Sequence, residues 1–394
     1  KWIKSISEQC LEDKDMIKAN FVTAREAAAM VKDGDTVCTV GMTLVSASES
    51  ILKALEKDFI ETGHPCGMTL LHSCGQSDRK DGIQHFAHEG MIKRIIGSHW
   101  GLQPRWMEMI AGNQVEAYCL PQGQIAQLYH SMACGLPGKM SKVGLGTFID
   151  PRYEGGKMND RTKPLEDIID IMEYRGEEYM FYREIPIDVC IIRGTVCDEM
   201  GNLTTTEEAM KLEVLPAVLA AKRYGGKVIA QVKHVAQTGT LNPKDVTVPG
   251  VFIDAIVVCD NPWEDHRQTS SWYFDPSYCG QLRVPQGNIE PALFNERKFI
   301  ARRGTMELYP GAVINLGTGI PNDMVGKVCN EERVSEDVMI TVESGIYGGV
   351  QAGGIDFGIG QNLYAMIGHH EQMDYYNGAG VDITYMGLGE KWEM

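Results

Sequence analysis

The chain is constrained most by a recurring unit. Short, apolar, β-branched runs alternate with stretches of helical spacing, and glycines cluster directly after the runs. The runs are Thr36 to Val40, Met68 to Leu71, Val143 to Ile149, Val189 to Ile192, Lys227 to Val232 and Ile253 to Cys259; helix-like patterns lie at Ala24 to Lys32 and Glu207 to Tyr224. Strands alternating with helices predict an α/β architecture with mainly parallel sheet. The 43 glycines are too many for a helix bundle. In parallel sheets ligands bind beyond the carboxyl ends of the strands, where such glycine turns fall.

The two ends of the chain repeat each other weakly. Ala24-Arg25-Glu26, Lys32-Asp33-Gly34-Asp35 and the run to Gly41 match Ala301-Arg302-Arg303, Pro310-Gly311 and the run Ala312 to Gly317. The next run, Met68 to Gly75, matches Val338 to Gly345, with the spacing between copies six residues shorter. Val381 to Met386 then resembles Asp188 to Ile192. The pattern predicts two homologous open α/β domains: residues 1–260, a linker over 261–297, and 298–394. A match of this kind also arises by chance between unrelated α/β units. The second copy stops before counterparts of the first copy's last runs, so the reading expects a second domain incomplete at Met394.

With 37 basic and 53 acidic residues the formal charge is −16. That balance disfavours nucleic acid and anionic membrane as main partners while leaving room for a local anion pocket. No run reaches the ~18 apolar residues of a membrane span. Eleven cysteines without a C-x-x-C pair read as reduced thiols in a cytoplasmic protein. Cys38, Cys190 and Cys259 lie in apolar runs and are expected in the core.

The most informative segment is Thr341-Val342-Glu343-Ser344-Gly345, continuing through Gly348-Gly349 to Gly353-Gly354. An apolar strand ends in a carboxylate and glycines follow, so backbone N–H groups can approach a ligand or an oxyanion. The alternative is a strand-end glutamate paired with a cation. The companion loop Asn315-Leu316-Gly317-Thr318-Gly319 lacks the third glycine of a dinucleotide fingerprint. Neither a Walker cradle nor a G-x-S-x-G elbow is present. His85 and His88 can share a helix face, but no neighbouring ligand spacing completes a metal site, so structural roles are expected. His369 and His370 point apart on a helix and do not ligate jointly. Cys74 is a small core thiol or, less expectedly, a nucleophile.

With these residues in place, the chain resembles the family I coenzyme A transferases, in particular the single-chain propionate/lactate or short-chain acyl-CoA:acetate type. The likeness runs from Phe21 to Glu390. It rests on Glu343-Ser344-Gly345 with Gly348-Gly349 and Ala352-Gly353-Gly354, on Asn315-Leu316-Gly317, on Gly144 to Arg152, on His85 to Gly90 and on Arg193-Gly194-Thr195. The resemblance implies that Glu343 is a covalent nucleophile, ionised at an ordinary pKa near ~4.3, which passes through an acyl-glutamyl anhydride and a glutamyl-CoA thioester in ping-pong fashion. It places Gln122-Gly123 beside that glutamate and Gly41 on the acid side. Gly317 and Gly319 fall by the substrate and oxyanion, and Gly345, Gly348, Gly349, Gly353 and Gly354 against CoA. It further implies acyl-CoA and small carboxylic acids as substrates, no resident cofactor or metal, and a homodimer or homotetramer. Met42, Ser48-Glu49 and Gln351 depart from the family pattern. So does the end at Lys391-Trp392-Glu393-Met394, where a further glycine-rich loop is expected. A thioester hydrolase on the same scaffold and a non-catalytic binding relative remain open alternatives.

Overall fold

The structure, a computed structural model, describes residues 18–387. Its centre is a seven-stranded sheet formed by β1 (Thr36–Thr39), β2 (Met68–His72), β3 (Ile92–Gly97), β4 (Glu116–Cys119), β5 (Val189–Arg193), β6 (Lys227–Val232) and β7 (Ala255–Val258), in the order β7-β6-β5-β1-β2-β3-β4. Every pairing is parallel. Such strands are buried on both faces, which is why they read as continuous apolar runs. Their side chains alternate between two cores. Cys38, Leu71, Ile192 and Ala230 face one core, with helices α2 (Gln122–Ala133) and α3 (Val214–Arg223). Val37, Leu70, Ile191 and Ile229 face the other, with α1 (Glu49–Thr62).

A second sheet contains β8 (Val313–Leu316), β9 (Met339–Val342), β10 (Ile346–Tyr347), β11 (Ala365–Met366) and β12 (Ile383–Tyr385), ordered β11-β10-β9-β8-β12. Its parallel centre β12-β8-β9 repeats β5-β1-β2 of the first sheet. The repetition extends to hydrogen bonds. Asp188 accepts from the Thr36 N–H at 2.8 Å and returns its own N–H to the Thr36 carbonyl at 3.0 Å. Asp382 does the same with Val313, at 2.8 and 2.9 Å. Gly34 and Gly311 open the two matched strands with φ of 81° and 85°. The sequence repeat is therefore structural. Ala352 and Ile359 of the second copy pack into the first sheet's core.

Three expectations fail locally. Val143 to Ile149 is a chain of turns rather than a strand: Gly144 and Gly146 take φ of 98° and 73°, and the Asp150 carboxylate accepts from the Gly146 N–H at 3.0 Å. Glycines in that conformation cannot continue an extended run. The helix expected from Glu207 starts only at Val214, because Leu212 has a positive φ of 53° and Glu208 turns inward to a buried pair with Arg193 at 2.6 Å. The helix expected over Ala24 to Lys32 is confined to Ala24–Ala28, entered through a Thr23/Glu26 capping box. The ten cysteines among the described residues, Cys38, Cys190 and Cys259 included, are free, and those three are buried. No helix among the described residues is long and apolar enough to cross a membrane.

Candidate active site

The carboxyl ends of both parallel sheets converge on one place. Glu343 follows directly on β9, half-buried, and the Val342–Gly345 turn closes through a 3.0 Å backbone bond. Gly345 sits at φ 98°, and a Cβ there would stand 2.3 Å from the Ile367 carbonyl oxygen. Only glycine fits a position that is both left-handed and in backbone contact. The Ile367 N–H in turn donates to the Gly345 carbonyl at 2.9 Å. The turn carrying the glutamate is thus fused to the start of helix α4 (His369–Gly378).

Among the described residues no lysine or arginine pairs with Glu343. Burial raises its carboxyl to about 7, against which its own backbone N–H and the nearby His369 pull only partly. This corrects the ordinary carboxylate value expected from sequence. A half-buried carboxylate without a cation loses more solvation than its neighbours return. The side chain is accordingly about half ionised at neutral pH.

His369 is fully buried. Its Nδ1 lies 2.8 Å from the Glu213 carboxylate and its Nε2 lies 3.0 Å from the Gln122 side-chain amide. The Ser73 hydroxyl donates to the other Glu213 oxygen. Burial would raise the Glu213 carboxyl, but His369 and Ser73 outweigh it and hold it below the usual range. Gln122, expected beside Glu343, hydrogen-bonds instead to His369. Gly123, next along α2, faces Met373 of α4, whose Cγ would be 2.8 Å from a Cβ at that position. Its smallness lets α2 and α4 approach each other.

The loop after β2 completes the floor. His72 donates through Nδ1 to the Cys74 carbonyl at 2.8 Å and accepts from the Trp100 indole at 3.2 Å. Burial lowers His72 to about 4, so it is a neutral strut. Burial pushes the Cys74 thiol up, and the negative charges of Glu343 and Glu213 push it further. That makes Cys74 a neutral thiol and no nucleophile, the reading the sequence favoured. Gly41 lies tightly against Val45 and Gln76, which anchors back on the Thr39 carbonyl at 2.9 Å.

Glu343 is not among the nearest neighbours of the remaining glycines. Room at Gly348 is filled by the Tyr364 ring and at Gly349 by the Gln361 carbonyl. Gly353 and Gly354 border a cavity of about 330 Å³ with Pro291 and Lys327, and the Gly354 N–H donates to Asp323 at 2.9 Å. Gly317 abuts the Tyr385 carbonyl, and Gly319 borders a separate cavity of about 570 Å³. A cleft of about 590 Å³ opens between the two copies, edged by Leu212, Lys211, Gly368 and His370. Gln351 is buried in a short hairpin, its amide donating to the Gly348 carbonyl at 3.0 Å. Lys391 to Met394 lie outside the described residues.

His85 and His88 share Glu56, each at 2.5 Å, and His85 also meets Glu49 at 3.0 Å. Glu49, Asp81 and His85 could together hold a metal ion, as could the exposed Asp33 and His64 with the partly buried Cys66. The first group is already internally hydrogen-bonded, which fits the structural role expected. Sequence reasoning missed Glu213, Ser73 and the role of His369. Glu213 carried no local signal because it was read as part of a helix.

Comparison with known proteins defines the family. The coenzyme A transferase family model matches residues 21–259. Caffeate CoA-transferase of Acetobacterium woodii is 40% identical over 376 residues, 94% of this chain and 70% of its own length. Acetate CoA-transferase YdiF of Escherichia coli K12 is 35% identical over 374 residues, covering 94% of this chain and 69% of its own. The crystal structure of acyl-CoA transferase YdiF from E. coli O157:H7, in a thioester complex with CoA, superposes with a TM-score of 0.85 at 32% identity, over 94% of this chain and 69% of that one. This chain belongs to the family I coenzyme A transferases and is a CoA-transferase.

Proposed function

We propose that the protein moves CoA between short-chain acyl-CoA and a free carboxylate, with Glu343 as the covalent carrier. The observation that carries this reading is a half-buried glutamate at the end of a parallel strand, paired with no lysine or arginine among the described residues, in a fold shared with an acyl-CoA transferase crystallised as a thioester complex with CoA. The ionised Glu343 attacks the thioester carbonyl, the carbon–sulfur bond breaks, and CoA leaves as thiolate. The thiolate then attacks the glutamyl carbonyl of the anhydride, expelling the acyl group as its carboxylate and leaving glutamyl-CoA. An acceptor carboxylate reverses both steps, and no proton is consumed overall. Each addition creates an oxyanion, for which one well-placed N–H contributes about 3–4 kcal/mol. Burial that raises the Glu343 carboxyl also sharpens its nucleophilicity once ionised and keeps water from the anhydride.

Incubation with acetyl-CoA, borohydride reduction and peptide mapping tests the proposal. The Glu343 peptide is expected to carry the reduction, and Glu343→Ala to lose acyl exchange. Exchange that persists in Glu343→Ala overturns the mechanism. CoA release without an acceptor acid identifies a hydrolase instead.

A further inference from the structure

We propose that His369, enclosed between Glu213 and Gln122, is a positioning residue for Glu343: it pins the turn that carries the nucleophile onto the first half of the chain and presents its ring to the carboxylate. The inference rests on reading Glu343 as the nucleophile. Three hydrogen bonds run from His369 to the first half. Its N–H donates to the Leu212 carbonyl at 3.2 Å, Nδ1 meets Glu213 at 2.8 Å, and Nε2 meets Gln122 at 3.0 Å. Leu212 holds a φ of 53°, a conformation bulky residues rarely adopt. Backbone strain of this kind persists where the surroundings over-determine it. Here it aims one carbonyl at the His369 N–H and the next side chain at its ring. From His369 back to Glu343 the link is the Ile367–Gly345 bond at 2.9 Å.

The ring is also well suited to face a carboxylate. Glu213 accepts from Nδ1–H, while the Gln122 amide can offer its NH2 to a bare Nε2 or, turned over, its carbonyl to a protonated one. Both nitrogens stay partnered in either state. The titratable groups facing Glu343 are His369 and Tyr376 from α4 and Cys74 from the β2 loop; those facing Glu213 are His369, His370 and Cys74, with Tyr129 and Cys190 beneath. Burial holds the Cys74 thiol and the Tyr376 hydroxyl protonated. That leaves His369 as the neighbour that favours ionised Glu343.

The test is the single-turnover rate of glutamyl-CoA formation from acetyl-CoA, followed by intact mass from pH 6 to 9. Wild type, His369→Gln, Glu213→Gln and the double variant are compared. The acid limb of His369→Gln is expected to move up by about one unit, which is roughly a fivefold loss at pH 7, with recovery toward the wild-type rate at pH 9. Glu213→Gln is expected to move it the same way, and the double variant to be no worse than His369→Gln, since both act along one path. A His369→Gln profile that overlays wild type, a loss uniform across pH, or additive single effects each overturn the proposal. Should His369→Gln not fold by circular dichroism, Gln122→Leu removes one ring partner while leaving the buried pair, and an unshifted profile there overturns it equally. If wild type itself forms no adduct on Glu343, it is the nucleophile reading that falls.

Discussion

At the residue scale, Glu343 combines two demands that oppose each other. Its carboxyl titrates at about 7, against an ordinary 4.5, because burial disfavours the charge. Only the ionised form attacks, so the adduct-forming rate should rise roughly tenfold from pH 6 to pH 8 as that form accumulates. Rapid-quench measurements with acetyl-CoA check this; a flat profile would mean that burial does not control the nucleophile. The same displacement affects stability. Between pH 4.5 and 7 the folded chain holds a proton that the unfolded chain has released, so folding stability falls as pH rises through that window. Glu343→Gln, neutral throughout, should therefore gain on wild type with rising pH, by about 1–2 kcal/mol at pH 8 relative to pH 4.5 once partial solvent access is allowed for. Denaturant melts at the two pH values read the difference. Glu343 itself was legible from an apolar run ending in a carboxylate before glycines. Its displaced acidity was not, because that depends on how far the folded chain buries the carboxyl.

Among elements, the parallel strands were read well for a physical reason. Val189 to Ile192 and Val228 to Val232 are buried on both faces, so burial writes them into the sequence as largely apolar runs. Val143 to Ile149 is equally apolar in part but is broken by Gly144 and Gly146 in left-handed conformations. The helix start was misplaced because Leu212 bends the chain where helical spacing seemed to continue. The glycine-rich segment after Glu343 was legible as turns, yet not as to what the turns enclose. Gly345 is the decisive case. An alanine there would meet the Ile367 carbonyl at 2.3 Å in addition to the penalty for φ of 98°. Gly345→Ala is expected to destabilise the protein by roughly 2–4 kcal/mol and to slow adduct formation on Glu343, since the turn and α4 must separate. Thermal melts with the trapping assay measure both, and a neutral Gly345→Ala would show that the junction is looser than described.

For the whole molecule, the candidate site belongs to neither half alone. Glu343 and His369 come from the second copy, and Ser73, Gln122 and Glu213 from the first. The repeat could be seen in sequence because matched strands share local patterns. The junction could not, since its partners lie scores to hundreds of residues apart and share no spacing. Beyond His369 it is held by Gln127 of α2, whose amide donates to Asp374 at 2.6 Å and whose carbonyl accepts from Asn377 at 3.2 Å. Gln127 is buried. Gln127→Leu keeps the volume but leaves Asp374 and Asn377 without that partner, a cost of roughly 1–3 kcal/mol. The contact lies one helical turn or more from Gln122 and touches no group that charges Glu343. Loosening it should therefore lower kcat several-fold at every pH without moving the acid limb. That outcome separates a mechanical contribution of the α2–α4 junction from the electrostatic one assigned to His369. A pH shift in Gln127→Leu equal to that of His369→Gln would mean that closure of the two halves, and not the imidazole, sets the ionisation of Glu343.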